Sequence, residues 1–307
     1  MPAQALSAYV PRRAARESRV TLRGLGAHVL EWGERGAPML VLLHGWMDVA
    51  ASFQFLVDAF ERDWHVVAYD LRGFGRSEWN AQGYWFADYV ADLEALVDTL
   101  APDEPVRIAG HSLGSNVALH YAGVRPERVV ELIALDGFGI PSETADRAPD
   151  KLAAWLDALR EAPAFAPYDD FDAVAARLMK NDPRLSADKA AFLARHWAQL
   201  DRDGRVRLRL DPKHKLPFPV VYRLEEVFAT WRRIRARTLW IAATDSHIPR
   251  WLDRHPEGEG GTDGLDGVRE RMRHIDGATL VTIADAGHML HHDQPQAVAR
   301  AIEQFLR

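Results

Sequence analysis

The sequence predicts an α/β fold in which a mostly parallel central sheet is flanked by helices and a helical subdomain is inserted after the sixth strand. Three observations carry that expectation. First, MLVLLHG (from Met39), HVVAYDLRG (from His65), VRIAGHS (from Val106) and VELIALDG (from Val130) are apolar runs of strand length that end in polar turns. Being unalternating and rich in β-branched residues, they suit strands buried on both faces of a parallel sheet. Second, the stretches between them have helical period, and such alternation implies crossover connections with ligands bound beyond the carboxyl ends of the strands. Third, the alternation gives way to a mainly helical segment over 138–235 and resumes at TLWIAATD (Thr238) and ATLVTIAD (Ala278).

Taken in order, residues 1–17 read as a loose N-terminal arm, and RVTLRGLGAHVLEW (Arg19 to Trp32) reads as a hairpin turning at Gly24 to Gly26. A helix is expected from about Tyr84 to Leu100, since Phe86, Tyr89, Val90, Leu93, Val97 and Leu100 fall on one face. Another should begin just after Ser112. The core domain is then 18–137 with 236–307, and 138–235 is a helical cap with three apolar faces of its own. These are Leu152, Trp155, Leu156 and Leu159; Phe171, Val174, Ala175 and Leu178; and Ala190, Leu193, Ala194, Trp197 and Leu200, the last helix capped by Ser186. RVRLRLD (Arg205 to Asp211) alternates strictly and reads as a strand or extended edge, and HPEGEGGTDGLDG (His255 to Gly267) as a mobile surface loop. The C-terminal helix should start near Pro295.

Composition limits the function. At 307 residues, 48% hydrophobic and 27% charged, the chain suits one large soluble domain with an insertion, or two modest domains. A net charge of -6 argues against nucleic acid or an anionic membrane as partner and leaves a small molecule. The absence of cysteine excludes disulfides, thiolate metal sites and a thiol nucleophile, and fits a reducing compartment. The first twenty residues lack the apolar run of a signal peptide, and no stretch is long enough for stable membrane insertion, so a cytoplasmic protein is expected.

The chemistry centres on Gly110-His111-Ser112-Leu113-Gly114. A serine flanked at minus two and plus two by glycine, after a buried strand and before a helix, meets the steric demand of a nucleophile elbow. Its hydroxyl would stand near the positive end of the following helix. His288, just past the last strand in DAGHMLHHDQP, is the candidate base, because an imidazole with an ordinary pKa near 6.5 is suited to take a serine proton at neutral pH. His291 and His292 complete an H-x-x-H-H pattern, but no third ligand class accompanies them and no metal site is expected. The imidazole needs a carboxylate on a third loop. Asp245 after TLWIAAT is preferred, and Asp136 after VELIAL is the alternative. The backbone amides of Trp46 and Leu113 are the candidate oxyanion-hole donors, with Gly45 permitting close approach.

HGW at His44, DLRGFGRSE from Asp70, GHSLGS from Gly110 and DAGHMLHHDQP from Asp285 together resemble the α/β-hydrolase superfamily, in order and spacing over essentially the whole chain. HGWMDVAASF and LDGFG look most like the serine-hydrolase-like proteins and bacterial esterases within its serine-nucleophile branch. The resemblance implies a Ser112, Asp245, His288 triad, an oxyanion hole at Trp46 and Leu113 and a helical cap over the site. Family members usually place a glycine-containing turn before the acid, whereas this chain has Ala242-Ala243-Thr244-Asp245, a departure that keeps Asp136 in play. Epoxide hydrolases and haloalkane dehalogenases of the superfamily have an aspartate at the elbow, so Ser112 speaks against both.

The expected activity is cofactor-free cleavage of a small, partly hydrophobic carboxylic ester through an acyl-serine. An acyltransferase, perhydrolase or carbon-carbon bond hydrolase on the same triad, or a non-catalytic ligand-binding protein, are the alternatives.

Overall fold

The computed structural model describes residues 7–161, 163–253 and 264–307. Eight strands form one sheet: β1 (Arg16–Leu22), β2 (Leu25–Trp32), β3 (Met39–Leu43), β4 (His65–Tyr69), β5 (Val106–His111), β6 (Val129–Leu135), β9 (Arg237–Ala243) and β10 (Thr279–Ile283). Their spatial order is β1-β2-β4-β3-β5-β6-β9-β10. The first two pair antiparallel with each other, β2 pairs antiparallel with β4, and every later pair is parallel. A two-stranded ribbon, β7 (Ala198–Leu200) with β8 (Val206–Leu208), lies outside this sheet.

The apolar runs behave as double-sided burial requires. In β3, Val41 and Leu43 enter one core layer while Leu40 and Leu42 enter the other. Helices α2 (Phe86–Leu100) and α3 (Leu113–Val124) cover the first face; α1 (Gln54–Ala59), α10 (Leu290–Asp293) and α11 (Pro295–Phe305) cover the second. Between β6 and β9 the chain inserts α4 (Ala148–Arg160), α5 (Phe171–Asn181), α6 (Ala187–Trp197), the ribbon and α7 (Leu224–Trp231), and between β9 and β10 lie α8 (His247–Asp253) and α9 (Asp266–Met272). Among the described residues no helix is long and apolar enough to cross a membrane.

Several local expectations are corrected. Residues 7–17 are not loose: Tyr9 Oη donates to Asp58 Oδ2 at 2.9 Å, the Arg12 and Arg13 amides donate to the same carboxylate at 3.0 and 2.8 Å, and β1 begins at Arg16. A buried Asp58 needs donors, and the arm supplies them. In α4 the face of Leu152, Leu156 and Leu159 stays 47–49% exposed, because this helix lies over a cavity instead of against a core layer. Leu200 leaves the α6 face because the chain departs into the ribbon at Ala198, and RVRLRLD forms a strand over Val206–Leu208 alone, with isolated bridges from Val206 to Tyr168 and from Leu210 to Phe74. Ser186 does sit at the start of α6, but its hydroxyl bonds Asp188 Oδ1 and not a first-turn amide. Of the expected surface loop at His255 to Gly267, the segment 255–263 lies outside the described residues.

Candidate active site

Ser112 stands between β5 and α3 with φ 51° and ψ -112°, a conformation that L-residues adopt at a cost. The flanking glycines make it possible. A Cβ on Gly110 would come within 2.3 Å of the Gly114 backbone, and one on Gly114 within 2.2 Å of the Leu43 carbonyl oxygen. The turn is held by Ser112 N donating to Leu135 O at 3.0 Å and by Ser115 Oγ bonding the Gly110 carbonyl. The result is a serine at the helix N-terminus, partly exposed at the carboxyl rim of the sheet.

His288 occupies the loop after β10. Its Nδ1 meets Asp136 Oδ2 at 2.7 Å, which places the proton on Nδ1 as donor and leaves the Nε2 lone pair free for a substrate-side proton. Asp136 follows β6, with φ 46°, and is fully buried. Ser246 Oγ donates to its Oδ2 at 2.5 Å, and the Ala243 amide lies 3.4 Å from its Oδ1. Among the described residues, no hydrogen bond joins the Ser112 hydroxyl to His288.

Asp245, the preferred acid, does not reach the imidazole. Its side chain is half-exposed and pairs with Arg184 at 2.6 Å, although its amide donates to Ala286 O within the histidine loop. The difference follows from sheet order. β6 is the neighbour of β5, so the carboxylate at its end lies next to the elbow, whereas Asp245 ends the following strand and turns outward to a cation supplied by the insertion. One signal for Asp136 was present in the sequence, namely the glycine after it. A Cβ on Gly137 would sit 2.6 Å from Ser112 O, so Asp136-Gly137 is built against the elbow.

Two histidines outside the proposed chemistry set the loops. Buried His44 donates from Nδ1 to Gly45 O at 2.8 Å and accepts the Leu71 amide at Nε2 at 2.9 Å, and burial lowers its pKa, so it acts as a neutral brace for the Gly45-Trp46 turn. A Cβ on Gly45 would lie 3.3 Å from Ser112 Cβ, which brings this backbone alongside the serine. Leu113, first residue of α3, has an amide with no intrahelical acceptor. Trp46 and Leu113 both line a cavity of about 490 Å³ together with Ser112, and the Trp46 ring is exposed. His111 donates from Nε2 to the His288 carbonyl at 2.8 Å, and desolvation by burial holds its pKa well below the usual histidine value. Asp70 anchors the same region by accepting the Ala50 amide at 2.7 Å and the Arg76 amide at 2.8 Å. Burial would raise its pKa, but the hydrogen bond and charge of His28 hold it low.

The histidine pattern resolves differently from its linear spacing. His288 is engaged with Asp136, while His291 and His292 face Asp48, the third ligand class that the local pattern lacks. One donor atom from each of these three buried residues lies within 4.8 Å of the others. His292 Nε2 meets Ser52 Oγ at 2.6 Å, whereas both Asp48 oxygens and both His291 nitrogens have no partner. Their donor set is one that could hold a divalent cation. Burial pushes the Asp48 pKa up to about 7.

The insertion roofs the cavity with Trp155 and Leu159 of α4 and with the segment Lys213 to Pro219. Of the other insertion aromatics, Phe218 lines the cavity, Trp231 is fully buried, Phe165, Trp197 and Phe228 pack against the core, and Phe171 packs in the α5–α6 cluster.

Comparison with known proteins bears on the family and the fold. A serine hydrolase-like protein of Danio rerio is 26% identical over 310 residues, covering 96% of this chain and 90% of that protein. Lipase LipV of Mycobacterium tuberculosis is 36% identical over 120 residues, 36% of this chain and 41% of the lipase. Among solved structures, the thioesterase domain from the curacin biosynthetic pathway superposes with a TM-score of 0.80 at 25% identity, covering 94% of this chain and 99% of that one. The family model for the alpha/beta hydrolase fold matches residues 38–295. This chain, with its sheet order, its serine turn and its inserted helices, belongs to the α/β hydrolase fold family.

Proposed function

We propose that the chain is a serine hydrolase that cleaves carboxylic esters through an acyl-enzyme, with Ser112 as nucleophile, His288 as base and Asp136 as the acid that orients it. The observation that carries the reading is the 2.7 Å bond from His288 Nδ1 to buried Asp136, beside a serine in an elbow conformation at the wall of a cavity. In the first half-reaction His288 Nε2 takes the Ser112 hydroxyl proton as Oγ bonds to the ester carbonyl carbon, and the amides of Trp46 and Leu113 receive the developing oxyanion. The tetrahedral species collapses with cleavage of the carbon–oxygen bond, and His288 returns the proton to the departing alkoxide. Water then repeats the sequence on the acyl-serine and releases the acid.

No cofactor takes part, and the partner is a small ester-like molecule. The cysteine-free composition supports a cytoplasmic setting. A fluorophosphonate probe should label Ser112 stoichiometrically, and Ser112→Ala should abolish both labelling and turnover of short 4-nitrophenyl esters with the melting temperature preserved. Full activity in Ser112→Ala would remove this serine from the reaction.

A further inference from the structure

The cavity wall opposite in charge to the rest of the molecule points to a substrate class. The chain carries a net charge of -6, yet among the described residues no Asp or Glu lines the cavity, while Lys213 and Lys215 both do. Neither lysine has a carboxylate partner among the described residues. Lys213 Nζ donates to the Ala81 carbonyl at 3.0 Å, and Lys215 Nζ lies 3.9 Å from the Phe165 ring centroid.

The turn that carries them is not an ordinary surface loop. Residues Pro212–Lys215 form a 3-10 turn whose cap, Asp211, is buried; its Oδ1 accepts the Lys213 amide at 3.0 Å and its Oδ2 accepts Tyr84 Oη at 2.7 Å. His214, between the lysines, is stacked from both sides by Phe74 at 3.8 Å and Tyr84 at 3.7 Å. The lone carboxylate of the turn is thus spent inward on backbone and tyrosine donors, and the two ammonium groups are held at the rim by a rigid base. Cations positioned in advance bind an anion without a further cost in ordering the backbone. The lining also offers an apolar surface from Trp46, Trp155, Leu159 and Phe218, beside the uncharged polar groups of Gln82 and Asn116.

We propose that the substrate is an amphiphilic anion: an ester whose apolar chain lies against these side chains and whose far end carries a carboxylate or phosphate bound by Lys213 and Lys215. This rests on the ester-hydrolase reading for its chemistry but not for its binding.

The test uses three 4-nitrophenyl esters of equal chain length that differ in their last group: the adipate monoester (carboxylate), the hexanoate (methyl) and the 6-aminohexanoate (ammonium). The wild-type protein should prefer adipate to 6-aminohexanoate by about tenfold in kcat/KM, expressed in KM, because two partly exposed ion pairs each contribute a few-fold. Lys213→Met with Lys215→Met should bring the two within about twofold, and raising the salt from about 0.05 to 0.5 M should shrink the wild-type preference. Equal treatment of the two charged esters, or a preference that survives in the double variant, would overturn the proposal. If no ester is turned over, the ester reading fails separately, and calorimetry on Ser112→Ala protein still decides the charge claim. Hexanoate or hexyl phosphate binding more tightly than hexanol supports it and tells carboxylate from phosphate; equal binding overturns it.

Discussion

Replacing Asp136 by asparagine changes one atom of the proposed triad, and the structure says which way the new amide must turn. Ala243 N–H faces Oδ1, so the asparagine carbonyl oxygen belongs there; the amide nitrogen then takes the Oδ2 position, 2.7 Å from His288 Nδ1 and 2.5 Å from Ser246 Oγ. An amide N–H donates, so His288 Nδ1 must become the acceptor and the ring proton moves to Nε2. In that tautomer the nitrogen facing the serine cannot accept a proton. A wrong-tautomer imidazole costs on the order of 10⁴ in kcat, about 5 kcal/mol of transition-state stabilisation. Asp245→Asn instead removes a half-exposed pair with Arg184, worth roughly 0.2–1 kcal/mol of stability, and should leave kcat within about twofold. Steady-state hydrolysis of a short 4-nitrophenyl ester at pH 7.5, with thermal melts of both variants, decides the matter. A large loss in Asp245→Asn with near-normal kcat in Asp136→Asn would refute the assignment.

Further outcomes follow from the same geometry. Gly114→Ala places a methyl 2.2 Å from the Leu43 carbonyl oxygen, a backbone atom of the sheet that cannot yield, so the variant should lose at least about 2 kcal/mol in urea unfolding; a wild-type midpoint would contradict the elbow packing. Asp48 keeps a proton in the folded protein up to about pH 7 that the unfolded chain releases near 3.8. The contribution of Asp48 to unfolding stability should therefore fall as pH rises through that window, by up to roughly 4 kcal/mol, against the opposite trend from the buried neutral histidines, so the stability advantage of wild type over Asp48→Asn should shrink as pH rises; parallel wild-type and variant curves between pH 4.5 and 8 would show that Asp48 does not titrate there. His111→Phe keeps an aromatic ring, somewhat larger than the imidazole, but loses the bond to the His288 carbonyl, so it should lower kcat about tenfold or more with KM little changed, and an unaltered kcat would mean that the histidine loop needs no such tether.

What the sequence made legible was what local sterics decide. The parallel strands follow from unalternating apolar runs, and Gly110 and Gly114 mark the elbow because the clash they avoid involves atoms within the turn and its neighbouring strand. The acid was a different kind of question. Asp136 and Asp245 both follow buried strands; what separates them is the sheet order and the presence of Arg184, which comes from 61 residues away to hold Asp245 outward. The same holds for Asp48, which shares a buried cluster with His291 and His292 from the far end of the chain, and for the arm that Asp58 captures. Amphipathic period in α4 was visible, but period states only that a face is apolar; here that face is shared between a cavity and solvent.

The common thread of the site is that its fixed polar groups are mostly neutral. His44, His111, His291 and His292 are all buried, and desolvation lowers the pKa of each, so the rim of the sheet is furnished with oriented dipoles around the buried carboxylate of Asp136. A charged imidazole in any of these four places would compete with His288 for the stabilising field of that carboxylate and would cost several kcal/mol to bury. Neutral braces avoid both penalties while still holding the Gly45-Trp46 turn and the His288 loop through hydrogen bonds to backbone atoms. Such preorganisation requires that the loops be positioned before substrate arrives, which is why His44 and His111 bond to main chain while His288 is tied to the Asp136 carboxylate.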